Sequence, residues 1–555
     1  MKNNFNSMDD VPSELKEKLA KYFTNVGGDT FAIVGLPPEL TGGALARYSR
    51  AATGMQLTII NEFLDESGEP SQAKGSELMD RVLNAYGDDS VGELEGAHAG
   101  IENVSQLVTK TIEDRRIGGS PIEQSTRYVK YDQKDKNGNW RYLRPREIMK
   151  TTLAEEFVFV NDFAFELYSE IVTRLIEHFK KELPEDKFTI EVMRNGKKAQ
   201  AHKSELNGTD EERAFRNAYS FTVRCAALDV GRCVLPSSTL THVGVYGNGR
   251  FWTNVISELK SGELVEEKKR GEDLEKELAK VIPTFIKRGG VRQHNVERLA
   301  TMRELARTLF IGIKPESNYV ELLPGGEYID EVVSSSIYPY VNVSLKQIRN
   351  YVSGLEYEKK KELLDVYVGR RMTRRDRSGR GIESGYPLTF DLVGGFAEYR
   401  DLQRHRMLTQ QRQILSTDLG FIMPPEMKII RMEEKVLELV ERMNWLNKGL
   451  REKGLVGASQ YATLFNNRVR FCLGMNLREF QHLSELRTTP QGHFSYRAMV
   501  MEMARQVTRL YPWAERTYGF VDYSDPGNKI TRAQEQSRIA GANLRTGIDG
   551  ERDLV

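Results

Sequence analysis

The sequence has few of the residues that build covalent or metal-stabilised sites. Its 555 residues include only three cysteines, Cys225, Cys233 and Cys472, without C-x-x-C spacing. This pattern predicts neither a disulfide framework nor a thiolate metal site, and it fits a reducing compartment. Eight scattered histidines without an H-E-x-x-H motif argue against a zinc or iron centre. We therefore expect no bound metal.

Long apolar runs are also missing. No stretch approaches the roughly 20 apolar residues that cross a bilayer, and the polar, acidic N-terminus does not resemble a signal peptide. The 80 Lys+Arg and 79 Asp+Glu residues leave a formal charge of +1, as in ordinary globular proteins. These features predict a cytoplasmic protein with no membrane partner. The basic segment 369–381 is the main feature that would favour nucleic-acid binding, but the balanced overall charge argues against it.

The order of the sequence patterns repeats along the chain. In the first half, a segment rich in small and polar residues (101–129) precedes a long helical pattern, and the second half repeats this order from residue 390. Apolar residues of the first pattern recur every three or four positions: Leu153, Phe157, Val160, Ala164, Leu167, Ile171 and Leu175. Each half then has an N-x-R block and a final amphipathic pattern. The sequence therefore predicts a tandem duplication.

The two copies differ in length because the first contains an extra polar stretch at 182–213. Its alternating residues and glycines predict a surface hairpin. A Pro- and Gly-containing junction near Ser317 separates the copies. We expect an N-terminal copy at 1–316, a C-terminal copy at 317–525, and a tail at 526–555 that is either mobile or in contact with a partner subunit.

The sharpest local signal is Arg404-His405-Arg406. Two guanidiniums and an imidazole this close together are costly to bury without counter-charges, so they indicate an anion or an electron-rich ring as ligand. For an isolated R-H-R, a solvated basic helix face is the more common explanation. Here the tripeptide follows an apolar stretch and leads into an uncharged polar run, unlike a lysine-rich surface helix. The residues alone thus predict an anion-binding site of unknown purpose.

At these positions the chain resembles the flavin-dependent thymidylate synthase family, whose motif reads R-H-R-x-x-S-x-N-x-x-S-x-R. The second half keeps the R-H-R start and has Thr409 and Gln411 in the first Ser and Asn slots. Ile414 and Ser416 stand where the family has its last Ser and Arg. The second copy therefore retains only the beginning of the motif.

The first half retains the end of the same motif. Ser125 and Arg127, in E-Q-S-T-R-Y, match the family residues. Its R-H-R slot reads Arg115-Arg116-Ile117, or Asp114-Arg115-Arg116 if one residue has been inserted. The residues leave both registers open.

Downstream, the family has an A-R-x-x-L-P segment, then N-x-R, then a final L-R that reaches the pyrimidine. The first half resembles the first two elements, and Leu259 or Lys260 replaces the final Arg. The second half resembles the later elements up to Arg487, and Gln460 replaces the early Arg. Upstream, Ser90 and Glu93 match a flavin loop in which Asp88 takes the His slot. The losses in the two copies are thus complementary.

The resemblance implies an α/β (α+β) fold with two tandem thymidylate synthase complementing protein-like domains. Each would be a twisted mixed sheet with long helices, unrelated to the Rossmann fold. Members of the family form homotetramers with active sites at subunit interfaces. A fused chain would therefore replace one family dimer, and we expect a homodimer.

The resemblance also implies the site residues. Those matching the nucleotide site are Glu123, Ser125, Arg127, Arg232 and Arg487, among which Ser125 and Arg487 match catalytic positions. Those matching contacts to FAD or folate are Arg404, His405, Arg406, Asn476, Arg478, His482, Ser90, Glu93, Asn248 and Arg250. Residues retained by different copies would together complete one site.

The implied reaction is the reductive methylation of dUMP to dTMP. Methylenetetrahydrofolate donates the carbon, and FAD reduced by NADPH donates the hydride. An arginine beside the pyrimidine carbonyl would stabilise enolate-like charge, and Arg487 is the candidate. Two alternatives remain: a non-catalytic flavin- or nucleotide-binding homologue in which the motifs have decayed, and an enzyme that methylates a different pyrimidine nucleotide.

Overall fold

The computed structural model describes residues 5–48, 51–85, 92–316, 318–372, 376 and 378–527. The described residues belong to two compact units, one drawn from residues 1–104, 111–123 and 242–296 and the other from residues 105–110, 124–241 and 297–555. These units differ from the halves 1–316 and 317–525, because the helical segment 124–241 of the first copy groups with the second copy. The expected tail, apart from 526 and 527, lies outside the described residues.

The first copy contains most of the helices. Its elements are α1 (Ser13–Leu19), α2 (Pro38–Tyr48), α3 (Met55–Thr58), α4 (Gln72–Ala85), β1 (Gly96–Ser105), α5 (Gln106–Glu113), β2 (Gly119–Glu123), α6 (Arg146–Met149), α7 (Ala154–Glu182), β3 (Thr189–Arg194), β4 (Lys197–His202), α8 (Gly208–Gly231), β5 (Leu240–Asn248), α9 (Gly249–Ser261), α10 (Val265–Leu278), α11 (Pro283–Ile286) and α12 (Gln293–Leu309).

The second copy repeats the plan with a different helical lead-in. Its elements are β6 (Val320–Leu323), α13 (Tyr328–Ile337), α14 (Leu345–Ser353), α15 (Tyr357–Val368), β7 (Leu388–Gly395), α16 (Phe396–Leu402), β8 (Thr409–Arg412), α17 (Glu426–Ile429), α18 (Glu433–Glu452), β9 (Arg468–Met475), α19 (Leu477–Arg487) and α20 (Phe494–Leu510).

The strand order is the same in both copies. The first-copy sheet has the order β1-β5-β2 and the second-copy sheet the order β6-β7-β9-β8, so in each copy the last of three equivalent strands lies in the middle. This agrees with the predicted duplication and confirms the α/β class. The second-copy sheet is antiparallel at every pairing rather than mixed. The strands β7 and β8 run in the same direction, but each pairs with β9, which lies between them and runs opposite to both.

The local predictions for helices and the insertion are confirmed. The predicted apolar stripe is the buried face of α7, on which Phe157, Val160 and Ala164 have no exposed surface. The insertion contains the antiparallel hairpin β3–β4, whose turn residues Asn195 and Gly196 both have positive φ. Such a turn matches the twist of the paired strands.

Within the second unit, equivalent segments of the two copies pair with each other. The Ser237 amide donates to Thr463 O and the Phe465 amide donates to Leu235 O, both at 2.9 Å. Pro236 forms the isolated antiparallel bridge between them, with Leu464. The two bonds are reciprocal, as they would be at a two-fold axis of a homodimer. This fused chain therefore contains a dimer-like contact inside one polypeptide.

A buried ion pair holds the helical lead-in against the second-copy sheet. Arg470 on β9 and Asp391 on β7 are each 1% exposed, and their charged atoms lie 3.0 Å apart. Asp391 also accepts hydrogen bonds from Tyr338 Oη and the Leu345 amide, both at 2.8 Å, and Arg470 donates to Glu316 O. Both charges are thus compensated by other groups of the protein.

No helix among the described residues is long and apolar enough to cross a membrane.

We expect Arg470→Met to lower the free energy of unfolding by about 3–5 kcal/mol, because it leaves Asp391 buried without its counter-charge. Urea denaturation followed by circular dichroism would measure this loss. Arg451→Met is the matched control, since its pair with Asp418 is about one-third exposed and should contribute about 0–1 kcal/mol. Equal effects of the two substitutions would contradict the assigned role.

The first unit contains a buried carboxyl group without a partner. Glu95 is 3% exposed, and neither of its carboxylate oxygens has a hydrogen-bond partner among the described residues. Burial, with a smaller contribution from the nearby Glu39 carboxylate, raises the pKa of Glu95 to about 8. Glu39 accepts bonds from the Thr284 amide at 2.5 Å and from Ser76 Oγ. Glu95 is therefore protonated in the folded protein at neutral pH.

The raised pKa predicts a pH-dependent stability of the first unit. The proton held by Glu95 stabilises the fold fully below about pH 4.5, and this contribution is lost as the pH rises through about 8. Glu95→Gln should remove this dependence and raise stability at pH 8 by a few kcal/mol, on the order of 1.4 kcal/mol per pKa unit. Thermal unfolding of both proteins between pH 5 and pH 9 measures it. Glu77→Gln, at an exposed glutamate of α4, is the control; parallel pH profiles for Glu95→Gln and the wild type would refute the prediction.

Candidate functional site

Three arginines from the two copies meet in the second unit. We call Arg127, Arg232 and Arg487, together with Asp229 and Asp401, the arginine cluster. The first copy provides Arg127 and Arg232 and the second provides Arg487, and all three act electrostatically on Asp401. Three guanidiniums thus face two carboxylates, which leaves the cluster with a net positive charge.

Arg127 is held by a forked ion pair. Its Nε and Nη2 donate to the two carboxylate oxygens of Asp229 at 2.9 and 3.3 Å, and Nη2 also donates to Gln491 O at 3.2 Å. The Arg127 and Asp229 side chains are only 12% and 10% exposed. Ser125 Oγ accepts from the Arg127 amide at 3.2 Å. The structure therefore uses Ser125 to shape the turn that presents Arg127.

Arg232, at the end of α8, is fully enclosed. Its Nη2 lies 3.3 Å from Asp401 Oδ2 on α16, and its side chain is 3% exposed. Its Nε has no hydrogen-bond partner among the described residues. Burial would raise the pKa of Asp401, but Arg232, Arg127 and Arg487 outweigh it and hold that pKa well below its usual range. Asp401 is therefore ionised at any physiological pH.

His493, the N-cap residue of α20, joins the same cluster without adding charge. Its Nε2 lies 3.1 Å from Asp229 O, and its Nδ1 accepts from the Ser495 amide at 3.3 Å. Burial, with a smaller contribution from the charge of Arg232, lowers the pKa of His493 to about 3. The imidazole is therefore neutral, with its proton on Nε2.

Arg487, at the end of α19, contacts the central histidine of the R-H-R motif. Its Nε lies 2.9 Å from His405 Nε2, and His405 Nδ1 lies 3.0 Å from Glu479 Oε1. His405 is 4% exposed. The guanidinium carbon of Arg487 also lies 5.8 Å from the ring centroid of Tyr496. The residue predicted to reach the pyrimidine is thus linked directly to R-H-R.

The other residues of the R-H-R site face outward. Arg404 and Arg406 are exposed on either side of buried His405 in the turn after α16. The exposed His482 of α19 contacts the His405 ring edge-on, with 5.5 Å between the ring centroids. The structure therefore brings Arg404, Arg406 and His482 to the same region as His405.

The two N-x-R blocks begin helices. Asn248 and Asn476 are the N-caps of α9 and α19, and their side-chain oxygens accept from the Phe251 and Glu479 amides at 2.8 and 3.0 Å. These oxygens are therefore engaged in capping. Arg478 is exposed and lies 3.2 Å from Gln481.

The remaining predicted residues fall in the first unit or outside the described residues. Arg250 pairs with Glu93 at 2.6 Å, on the surface. Glu123 is the buried last residue of β2. Ser90, like Asp88, lies outside the described residues, so the flavin-loop prediction is described only at Glu93.

The strand register indicates which first-copy residues occupy the R-H-R slot. Ser120 of β2 pairs with Tyr246, and Thr409 of β8 pairs with Gly474, at equivalent distances from the two cap asparagines. Counting back from these strands places Arg115, Arg116 and Ile117 in the slot. The helix before the slot, α5, is one residue longer than α16. Arg115 pairs with Glu258 at 2.5 Å.

The positions equivalent to the arginine cluster carry no charge. Counting from the cap asparagines, Gln460 corresponds to Arg232, and Leu259 corresponds to Arg487. Gln460 Oε1 accepts from the Leu415 amide at 3.1 Å and from Arg412 Nη1 at 3.2 Å, and Leu259 has no exposed surface. Both residues serve the protein core.

Sequence reasoning missed Asp229, Asp401 and His493. Asp229 and Arg232 are three residues apart at the end of a helix, a spacing that places them on one face and could have suggested a shared role. Asp401 stands three residues before Arg404, where the R-H-R motif gave no reason to single it out. His493 lies in no recognised motif, so nothing in the sequence pointed to it.

The residues present fit the ligands that the resemblance implies. The unpartnered Nε of Arg232 and the net positive charge suit a nucleotide phosphate. The exposed Arg404, Arg406 and His482 suit an anionic cofactor with aromatic rings, such as FAD. Cys233, beside Arg232, is buried with the pKa of its thiol raised to about 12, so it is not a nucleophile.

Comparison with known proteins gives the chain its family. The profile of the family described as thymidylate synthase complementing protein matches residues 43–284 and 382–513. A UPF0159 protein of Chlamydia pneumoniae is 34% identical, over 92% of this chain and 95% of its own length. UPF0159 proteins of Chlamydia muridarum and Thermoplasma acidophilum are 33% and 30% identical, over 95% and 87% of this chain and 98% and 95% of their own lengths. The chain therefore belongs to the thymidylate synthase complementing protein family.

Proposed function

We propose that this protein is an FAD-dependent thymidylate synthase-like enzyme. It would convert dUMP to dTMP, with methylenetetrahydrofolate as the carbon donor and NADPH as the reductant of FAD. The observation that carries this proposal is the arginine cluster, in which Arg127 and Arg232 of one copy meet Arg487 of the other. Residues lost from each copy are replaced in this cluster by residues kept in the other.

Arg127 and Arg232 are the proposed phosphate ligands. Their carboxylate partners, Asp229 and Asp401, keep the guanidiniums in place before a nucleotide arrives. Arg232 retains an Nε donor that no described residue uses. A dianionic phosphate would satisfy that donor and the net positive charge together.

Arg487 is the proposed catalytic arginine. Its bond to His405 uses Nε, so the two terminal nitrogens of the guanidinium remain to approach a pyrimidine carbonyl. A positive charge at that carbonyl stabilises the enolate-like form in which C5 is nucleophilic. The buried and protonated thiol of Cys233 supports a route without a cysteine adduct.

FAD would lie against Arg404, Arg406 and His482 and would supply the hydride that reduces the transferred methylene. The protein's own contribution is orientation and charge stabilisation. The alternative, a non-catalytic nucleotide-binding protein, is favoured by the uncharged Leu259 and Gln460 at the second set of positions. We favour catalysis because the arginine cluster retains all three arginines that match the family's nucleotide site. Since the equivalent positions are uncharged, we expect one nucleotide site per chain.

The visible absorbance of the purified protein, measured before and after FAD is added and the excess removed, tests the proposal. We expect a retained flavin spectrum that dUMP perturbs, with saturation at one dUMP per chain. Methylene transfer to dUMP is then assayed directly. Absence of bound flavin under every condition would support the non-catalytic alternative.

Arg127→Ala should weaken dUMP binding about tenfold to a hundredfold, because it removes charged hydrogen bonds to the phosphate. Arg404→Ala should weaken FAD binding and leave dUMP affinity nearly unchanged. Isothermal titration calorimetry with each ligand separates the two effects. Arg307→Ala, at an exposed arginine of α12, is the matched control. Unchanged affinities in both variants would contradict the composite site.

A further inference from the structure

His405 has no hydrogen-bonding capacity left for a ligand. Its two ring nitrogens lie 2.9 Å from Arg487 Nε and 3.0 Å from Glu479 Oε1, and an imidazole offers only these two positions. The side chain is 4% exposed. A residue of the R-H-R motif that is enclosed in this way serves another protein group rather than the solvent-facing site.

The bond between Arg487 and His405 can form with only one position of the His405 proton. A guanidinium can only donate, so His405 Nε2 must accept, and the single ring proton must be on Nδ1, facing the Glu479 carboxylate. Burial lowers the pKa of His405; the bond to Glu479 opposes this, and the charge of Arg487 lowers it further. The neutral Nδ1–H form is therefore the stable one.

The chain of contacts begins at the helix cap. Asn476 accepts from the Glu479 amide at 3.0 Å and fixes the first turn of α19. Glu479, 6% exposed, then sets the proton position of His405, and His405 holds Arg487 at the other end of the same helix. Arg487 is thereby held through Nε, while its terminal nitrogens are left for the substrate.

The first copy is an internal comparison. Counting from its cap Asn248, the positions of Glu479 and Arg487 hold Phe251 and Leu259, which are 2% and 0% exposed. The strand register places Arg116 at the position of His405. Glu479, His405 and Arg487 are thus all replaced in the copy that has lost the arginine, whereas the cap asparagine is kept. This pattern is expected if Glu479 and His405 exist to hold Arg487.

We propose that Glu479 and His405 are positioning residues that orient Arg487 toward the pyrimidine. This inference rests on the proposed function for its substrate, but the contact chain itself stands on the geometry. Glu479 fixes the imidazole as a hydrogen-bond acceptor toward Arg487, and that acceptor keeps the guanidinium in one orientation before the nucleotide binds. Neither residue needs to touch dUMP.

Glu479→Gln tests the proposal because it keeps the side-chain shape but removes the carboxylate that selects the Nδ1–H form. We expect kcat for dTMP formation to fall roughly 100-fold, as for a misplaced catalytic group, with KM for dUMP nearly unchanged. Glu452→Gln, at an exposed glutamate of α18, is the matched control. A change in KM alone would overturn the proposal.

The same substitution made in a protein that already carries Arg487→Lys distinguishes a positioning role from general damage to the fold. In an Arg487→Lys protein, Glu479→Gln should cause little further loss, because the residue through which it acts is already changed. An equal loss in both backgrounds would overturn the proposal. Circular dichroism of all variants shows whether they fold.

Long-range proton–nitrogen correlation spectra of the histidine-labelled protein provide a readout that needs no turnover. We expect the proton of His405, assigned by its disappearance in His405→Gln, to be on Nδ1 in the wild type. In Glu479→Gln we expect part of the population to have it on Nε2, because the Gln amide can also donate to Nδ1, and in that form the bond to Arg487 is lost. A wild-type proton on Nε2 would overturn the positioning role even if the enzyme is active. If the wild type transfers no methylene, the proposed function fails, while this spectrum still decides the contact chain.

Discussion

The reciprocal main-chain pairing of Leu235 with Phe465 and of Ser237 with Thr463 is the contact on which the site depends. The same segment of the second copy anchors the start of α16, since the Phe396 amide donates to Asn467 O at 3.1 Å. In the first copy, Arg232 therefore lies three residues before the paired Leu235. In the second copy, Asp401 lies near the end of α16, the short helix anchored at Phe396. Their ion pair follows from these two anchors.

Desolvation explains the composition of the arginine cluster. Guanidiniums buried to this extent need counter-charges, and Asp229 on α8 and Asp401 on α16 provide them for Arg127 and Arg232. His493 and His405 remain neutral, so they add hydrogen bonds without adding repulsion. The cluster is thus stable without a ligand, yet its charge is not fully balanced. This arrangement supports the proposed binding of an anion.

Equivalent positions in the two copies carry different kinds of residue. Positions that hold Arg487 and Glu479 in the second copy hold Leu259 and Phe251 in the first, and both replacements are buried apolar residues. Gln460, at the position of Arg232, hydrogen-bonds its neighbours. In each case the position holds an uncharged residue that packs in the core or hydrogen-bonds its neighbours, instead of a charged residue that is costly to bury. Duplication permits this because one complete set remains in the chain.

Local patterns in the sequence determined the α7 stripe, the β3–β4 hairpin, the N-x-R helix starts and the complementary loss of motif residues, because each depends on neighbours along the chain. The motif resemblance also identifies Arg127, Arg232 and Arg487. Only the tertiary structure decided that Asp229, Asp401 and His493 complete their surroundings, and that His405 faces Arg487 instead of solvent. It also decided the grouping of 124–241 with the second copy. These features depend on contacts between residues far apart in sequence, for which hydrophobic periodicity and residue spacing contain no signal.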